Sequence, residues 1–288
     1  NTGSLYGTTE YGGDFTCNPF QGLGCGVLFK IDTSGKLTVL HVFRGGTSDG
    51  CNPYQGLVAD KAGNLYGTTP SCGAASLGTV FKVSKNRKVT LLHSFSWLDG
   101  ASPSSELIVA QNDHIYGLTQ QGGTSGRGVL YRFHRNGVVT VLHNFAAGTA
   151  DGCNPGGTLA IDDEDDIYGT TAQCGSAANG TIWKVSYSGQ ETVLYNFVGG
   201  FADGCFPDGL LRDSKGNLYG NTSQCGTSGD GTIWRLNTKG VVTLLHSFSG
   251  TDGANPFGPL LRDAKGVLYG TTSCAYVGGC YGTAWELK

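Results

Sequence analysis

The chain has 288 residues, of which 39% are hydrophobic, 14% charged and 49 glycine, a composition that favours many short elements joined by tight turns over long amphipathic helices. Its formal net charge of -3 and pI near 6.1 give no basic footprint for neutralising phosphates, so nucleic acid is not an expected partner. No run approaches the roughly 20 apolar residues that span a bilayer, and the first residues lie inside a repeat rather than a basic and apolar leader, so an exported protein would already have lost its signal.

One phrase punctuates the chain. Asn64-Leu65-Tyr66-Gly67-Thr68-Thr69 recurs with small changes around Tyr6, Tyr116, Tyr168, Tyr219 and Tyr269, the six tyrosines standing 60, 50, 52, 51 and 50 residues apart in chain order. Each unit reads as four apolar runs. In the second unit run A is 56–60 (GLVAD), run B is Leu65–Thr69 (LYGTT), run C is Thr79–Val83 (TVFKV) and run D is 89–95 (VTLLHSF). Short polar turns at 61–64 and 84–88 join A to B and C to D, which predicts a four-stranded antiparallel meander.

Such a sheet cannot bury both faces alone, but several arranged around an axis bury them against one another. The expectation is an all-β fold, a β-propeller of six blades of about 50 residues, forming a single domain over 1–288. Every C run carries an aromatic, at Phe29, Phe81, Tyr131, Trp183, Trp234 and Trp285, and D runs carry a Leu and a Phe, residues suited to packing between blades. Runs B and C occur six times but A and D only five, giving 22 of 24 strands, so the first and last blades are expected to be incomplete. The chain is then part of a longer one, or closes with two short blades, or has an open edge completed by another subunit.

The cysteines follow the repeat. Cys51, Cys153 and Cys205 sit in Asp-Gly-Cys between D and A, and Cys72, Cys174 and Cys225 follow run B. The third repeat has Ala101 in place of the first member and Gly122 in place of the second, a joint loss that a disulfide predicts. The expected bridges are Cys51–Cys72, Cys153–Cys174, Cys205–Cys225, Cys17–Cys25 and Cys274–Cys280. They imply an oxidising compartment, hence secretion or the cell surface. They also put the D–A and B–C loops at one end of the sheets, and that long-loop face is the expected site. With no CxxC pair, zinc is not expected, and neither is any other metal or cofactor. The sequons at Asn179 and Asn221 would permit N-glycosylation.

Polar motifs mostly repeat. Asp-Gly recurs at Asp49, Asp99, Asp151, Asp203 and Asp252, which fits a turn carboxylate followed by a positive-φ glycine. His41, His93, His143 and His246 share one position in run D, where Tyr195 stands in the fourth unit, which fits a repeated hydrogen bond. The acidic run 162–166 (DDEDD) reads as a solvated A–B turn, lacking the ligand spacing of a calcium loop. Departures from the repeat are better site candidates: Tyr11, Asp14 and Phe15 in the first B–C loop, Arg44, Trp97 and Phe206 in D–A loops, and Tyr276 and Tyr281 in the last B–C loop. Aromatics with polar partners on an open face suit sugar binding. No catalytic residue is assigned.

Laid out as GNLYGTT, GTVFKV or GTIWKV, a TVLHSF-type run and DGxxP, the chain resembles the bacterial GloVer-containing or choice-of-anchor tandem-repeat proteins over nearly its whole length. The resemblance implies a secreted or surface-attached β-propeller and carries over no catalytic residue. The expected function is non-catalytic, either binding, with a surface glycan as partner, or self-association into a surface structure. The alternative is a secreted glycan-active enzyme, a polysaccharide lyase or glycoside hydrolase, with its site on the long-loop face.

Overall fold

The computed structural model describes residues 3–17, 22–134, 136–274 and 281–288. Among them there is no helix, and all regular structure is antiparallel sheet. The chain divides into two compact units, Asn1–Asn144 and Phe145–Lys288, each holding three repeats.

In the first unit the sheets run Leu5–Thr9, Val27–Ile31, Leu37–Val42 in the first repeat and Val58–Ala59, Leu65–Thr69, Thr79–Val83, Val89–Ser94 in the second. The third sheet places Ala101–Pro103 and Ile108–Val109 on one edge of Ile115–Gln121, followed by Val129–Phe133 and Val139–Asn144. The second unit repeats this order with Gly152–Ile161, Ile167–Cys174, Thr181–Val185 and Glu191–Asn196, then Cys205–Arg212, Leu218–Gln224, Thr232–Leu236 and Val242–Ser247. Its last sheet holds Ala254–Pro256 and Leu261–Arg262 beside Leu268–Cys274 and Thr283–Leu287. The second to fifth repeats follow the expected A–B–C–D order, whereas among the described residues the first sheet is B–C–D and the last is A–B–C.

Run A departs from expectation. The Asp-Gly-Cys cysteines were expected in the D–A loop, but Gly152–Ile161 and Cys205–Arg212 show strand A already forming at the cysteine, with Cys153 opposite Gln173 and Cys205 opposite Gln224. The strand bulges in the middle, between Gly156 and Ala160 and between Pro207 and Leu210, which is why only 56–60 looked strand-like in the second repeat. The proline two residues past the cysteine position is tolerated because A is an edge strand, paired with B alone.

Each residue before that proline has a positive φ: 59° at Asn52, 53° at Ser102, 54° at Asn154, 58° at Phe206 and 53° at Asn255. The turned backbone aims its N–H at the preceding repeat, as in Asn52 N–H to Cys25 O at 2.8 Å, Ser102 to Leu77 O at 2.9 Å, Phe206 to Asn179 O at 3.0 Å and Asn255 to Asp230 O at 2.8 Å. The proline ring then lies against the glycine that opens the preceding C strand; a Cβ on Gly78 would meet Cδ of Pro103 at 2.5 Å.

The core sits between successive sheets of each unit. The Phe at the end of each D run packs edge-on, or tilted at Phe145, against the C-strand aromatic of the next repeat: Phe43 on Phe81, Phe95 on Tyr131, Phe145 on Trp183, Phe197 on Trp234 and Phe248 on Trp285, with ring centroids 5.1–5.9 Å apart. All five of these phenylalanines are buried. Within its own repeat each C-strand ring lies over the glycine of LYG, so a Cβ on Gly67 would be 2.6 Å from Phe81 and one on Gly169 would be 2.3 Å from Trp183.

The remaining LYGTT residues also have structural partners. The tyrosine hydroxyl donates to the carboxylate that folds the A–B turn: Tyr66 to Asp60 at 3.1 Å, Tyr168 to Asp162 at 2.9 Å and Tyr219 to Asp213 at 3.2 Å. The final threonine shares a hydrogen bond with the first threonine of strand C at 2.7–2.8 Å, in pairs Thr69–Thr79, Thr171–Thr181 and Thr222–Thr232 whose members are all fully buried.

Candidate functional site

At the long-loop end four expected bridges are present: Cys17–Cys25, Cys51–Cys72, Cys153–Cys174 and Cys205–Cys225, with Cα–Cα distances of 6.0, 5.5, 5.4 and 5.4 Å. The fifth, Cys274–Cys280, involves Cys280, which lies outside the described residues, as does Tyr276. The second cysteine of each long bridge takes a positive φ, 66° at Cys72 and 64° at both Cys174 and Cys225, where strand B turns into its loop.

The Asp-Gly carboxylates close the D–A turn on themselves. Asp49 accepts Arg44 N–H at 3.0 Å and Gly50 N–H at 2.9 Å, Asp99 accepts Ser96 N–H at 2.7 Å, and Asp203 accepts Val198 and Gly199 N–H at 2.9 Å. The same carboxylates receive the run-D ring: His41 to Asp49 at 3.1 Å, His93 to Asp99 at 3.0 Å, His246 to Asp252 at 2.8 Å, with the Tyr195 hydroxyl donating to Asp203 at 2.7 Å. Burial pushes Asp49 and Asp99 up, but the histidine and backbone hydrogen bonds outweigh it and hold both below the ordinary carboxylate value. In the sequence the histidine reads as a repeated bond and the aspartate as a repeated turn. Their fixed order, six or eight residues apart in repeat after repeat, was the available sign that they are one device.

A groove of about 600 Å³ opens along this device in the first unit, between the D strands Leu37–Val42 and Val89–Ser94. Val39, Val89 and Leu91 form an apolar wall; His41, Asp49, Ser48 and Arg44 supply polar groups. Of the expected site residues, Arg44 lines this groove, and Asp14 is close enough for the guanidinium to help lower its carboxyl, after the larger effect of hydrogen bonds from Thr16. Tyr11 and Phe15 are exposed on the same loop as Asp14. Trp97 is half exposed beside Gly126, away from the groove wall, and Phe206 takes a positive φ just before Pro207 in the second unit. Tyr281 is 71% exposed. The apolar groove wall was not singled out because Val39, Val89 and Leu91 look like ordinary strand residues.

Two other expectations are corrected or refined. Asn221 is 1% exposed, and its amide receives Gly209 N–H and donates to Gly258 O, so that sequon has no free amide for a glycan in the folded chain. In the acidic turn, Asp162 folds the turn and holds Tyr168, while Asp166 pairs with Lys184, so two of the run's carboxylates are structural.

The sequence matches the Gloeobacter/Verrucomicrobia repeat over residues 1–150 and again over 86–285. The chain belongs to this repeat family. No curated protein gave a match. Among solved structures, this Gloeobacter/Verrucomicrobia-repeat chain is similar to a gluconolactonase from Xanthomonas campestris, with a TM-score of 0.52 and 16% identity over 90% of this chain and 78% of that one. It is also similar to the extracellular domain of a protein described as a hybrid two-component system from B. thetaiotaomicron, with a TM-score of 0.57 and 12% identity over 86% of this chain and 30% of that one. At these identities the likeness concerns the fold, which is all-β and β-propeller-like. The four disulfides are consistent with an oxidising, extracellular location.

Proposed function

We propose that the chain is a single six-bladed β-propeller over 1–288 that acts outside the cell as a non-catalytic binding module, taking a polar, uncharged saccharide on its disulfide-tied face. The supporting observation is the fate of the acid–base groups. The His41–Asp49 pair in the groove has the composition of a catalytic dyad, yet His93–Asp99 and His246–Asp252 repeat it at equivalent places, each carboxylate also holding backbone N–H groups of its own turn. A reaction needs its base once, whereas a turn needs its anchor in every repeat. What distinguishes the groove is Arg44, with Asp14 nearby and an apolar wall opposite, a combination that orients hydroxyls and stacks against a sugar face. Tyr11, Phe15 and Trp97 are proposed as further contacts in the first unit; Phe206 and Tyr281, with Tyr276 from the sequence alone, are proposed as separate contacts in the second. Self-association through sheet edges is a second mode of action, supported by the exposed first strand, where Leu5 is 67% exposed.

Binding to a neutral-glycan array, followed by calorimetry on the parent and Arg44→Ala, tests the reading. The expected result is saturable binding weakened at least about tenfold by the substitution, one lost charge-assisted hydrogen bond being worth about 1.5–3 kcal/mol. Turnover of any bound polysaccharide would sink the non-catalytic claim, and equal binding by Arg44→Ala would move the site elsewhere. A strictly monomeric particle at high concentration rejects the self-association mode.

A further inference from the structure

The opposite ends of the sheets, where the A–B and C–D turns are short, carry clefts of their own. One of about 480 Å³ lies between the first and second repeats, and one of about 290 Å³ lies between the fourth and fifth. They are the same place in the repeat. Tyr6 and Tyr168 occupy equivalent positions on one side, Leu40 and Leu194 the floor, Leu65 and Leu218 the facing strand, and the C–D turn of the following repeat the rim. The repeat therefore builds a cleft, and the rim sequence decides what it can hold.

The two rims differ in charge. In the fourth–fifth cleft the rim turn is Asn237, Thr238 and Gly240; its two cations lie off the rim, Lys184 paired with Asp166 and Arg212 over the Tyr168 ring, and the acidic turn 162–166 stands beside it. In the first–second cleft the rim is Ser84, Lys85 and Arg87. Lys85 lies across Gly63, its ammonium 3.9 Å from the place a Cβ would occupy there. The rim turn is held from within by Ser84, whose hydroxyl donates to Lys88 O at 3.0 Å, and Arg87 takes a φ of 65° in it. Among the described residues neither the Lys85 nor the Arg87 side chain has an ion pair or hydrogen bond, and both are exposed. The nearby carboxylates are engaged: Asp32 accepts Ser34 and Lys36 N–H, and Asp60 accepts Asn64 and Tyr66.

We propose that the cleft between the first and second repeats is a binding site for an acidic saccharide, one whose carboxylate or sulfate groups are met by Lys85 and Arg87 while a ring lies against Tyr6 and the Leu40–Leu65 floor. The volume fits one or two sugar rings. Two cations on one turn of a chain with net charge -3 suit a short anionic unit better than the continuous phosphate track of a nucleic acid. The cleft shares Leu40 with the groove at Arg44, but its cations Lys85 and Arg87 stand on the short C–D turn, away from the D–A loop that carries Arg44.

Binding of the intact chain to polygalacturonate, dextran sulfate, neutral dextran and single-stranded DNA, measured by interferometry at 0.15 M salt, tests this. The comparison sets Lys85→Glu/Arg87→Glu against Lys239→Glu/Lys265→Glu, two exposed lysines in the second unit that give the same change in net charge. The expected result is binding to polygalacturonate or dextran sulfate, the stronger arm naming the acidic group, with none to neutral dextran. The first variant should lose about tenfold or more and the second less than about twofold, since screened charges act only within about 8 Å. No binding to either acidic polymer, equal losses in both variants, or tighter binding to single-stranded DNA would overturn the proposal. Circular dichroism and an unchanged melting temperature show that the variants are folded; if the first variant is not, Lys85→Gln/Arg87→Gln replaces it with the same expected direction.

Discussion

Replacing Gly220 by alanine tests whether the glycine of the LYG phrase is a seat for the ring above it. A Cβ at this position would lie 2.1 Å from Cζ2 of Trp234 and 2.5 Å from the carbonyl oxygen of Gly209. Trp234 is 0% exposed and packs against Phe197, so the indole can move only by displacing the next sheet contact. Overpacking a dense interior costs about 1–3 kcal/mol, and at about 2–4 °C per kcal/mol for a protein of this class the melting temperature should fall by about 2–12 °C. Gly7 provides the comparison, because Phe29 would be 2.7 Å away and the strand Leu5–Thr9 is largely exposed, leaving the chain room to yield. Gly7→Ala should fall by less than half as much. Scanning calorimetry gives the melting temperatures, and tryptophan emission reports the displaced indole. Pairing Gly220→Ala with Trp234→Phe should show favourable coupling between the two sites. A melting temperature for Gly220→Ala within about 1 °C of the parent, or an equal loss in Gly7→Ala, refutes the seating argument.

Removing the Cys51–Cys72 bridge as Cys51→Ala/Cys72→Ala should cost about 3 kcal/mol in the chain-entropy model, read as a lowered denaturation midpoint that reduction of the parent exceeds. Tyr66→Phe should cost about 1 kcal/mol by deleting the bond to Asp60, and an unchanged midpoint would show that the turn holds without it. Stability should also depend on acid. The Asp49 and Asp99 carboxyls are held below their unfolded value, so their contribution is present above about pH 4 and is lost as pH falls through the lower folded value. Asp99→Asn should therefore flatten the decline in melting temperature between about pH 4 and pH 2, and a profile parallel to the parent's would count against the assignment.

The meander was legible because period and alternation are local: Leu65–Thr69 and Thr79–Val83 fall where the sequence places them. Disulfide pairing was legible for a different reason, since Ala101 and Gly122 are a paired loss within one chain. Strand A was misjudged because its first half is Cys-Asn-Pro or Cys-Phe-Pro, which locally reads as turn, and only pairing with the extended B strand makes it a strand. The groove at Arg44 was legible in its charge but not in its wall, because concavity comes from the spacing of two D strands 50 residues apart rather than from residue type. The cleft beneath Tyr6 is not legible for a related reason: in the sequence 84–88 is only a short polar C–D turn, and its concavity comes from the neighbouring repeat.

The backward-pointing N–H before each proline has a consequence for how such a chain can grow. At four of the five prolines its partner is a carbonyl in the preceding repeat, at Cys25, Leu77, Asn179 or Asp230, and a carbonyl is supplied by whatever amino acid stands there. The coupling between neighbours is thus written in main-chain atoms, a proline ring and a glycine, none of which specifies which unit comes next. A duplicated segment of DNA encoding one such unit would dock on either side at its first expression. Side chains at the groove and cleft rims are then free to diverge, so length and specificity can evolve separately.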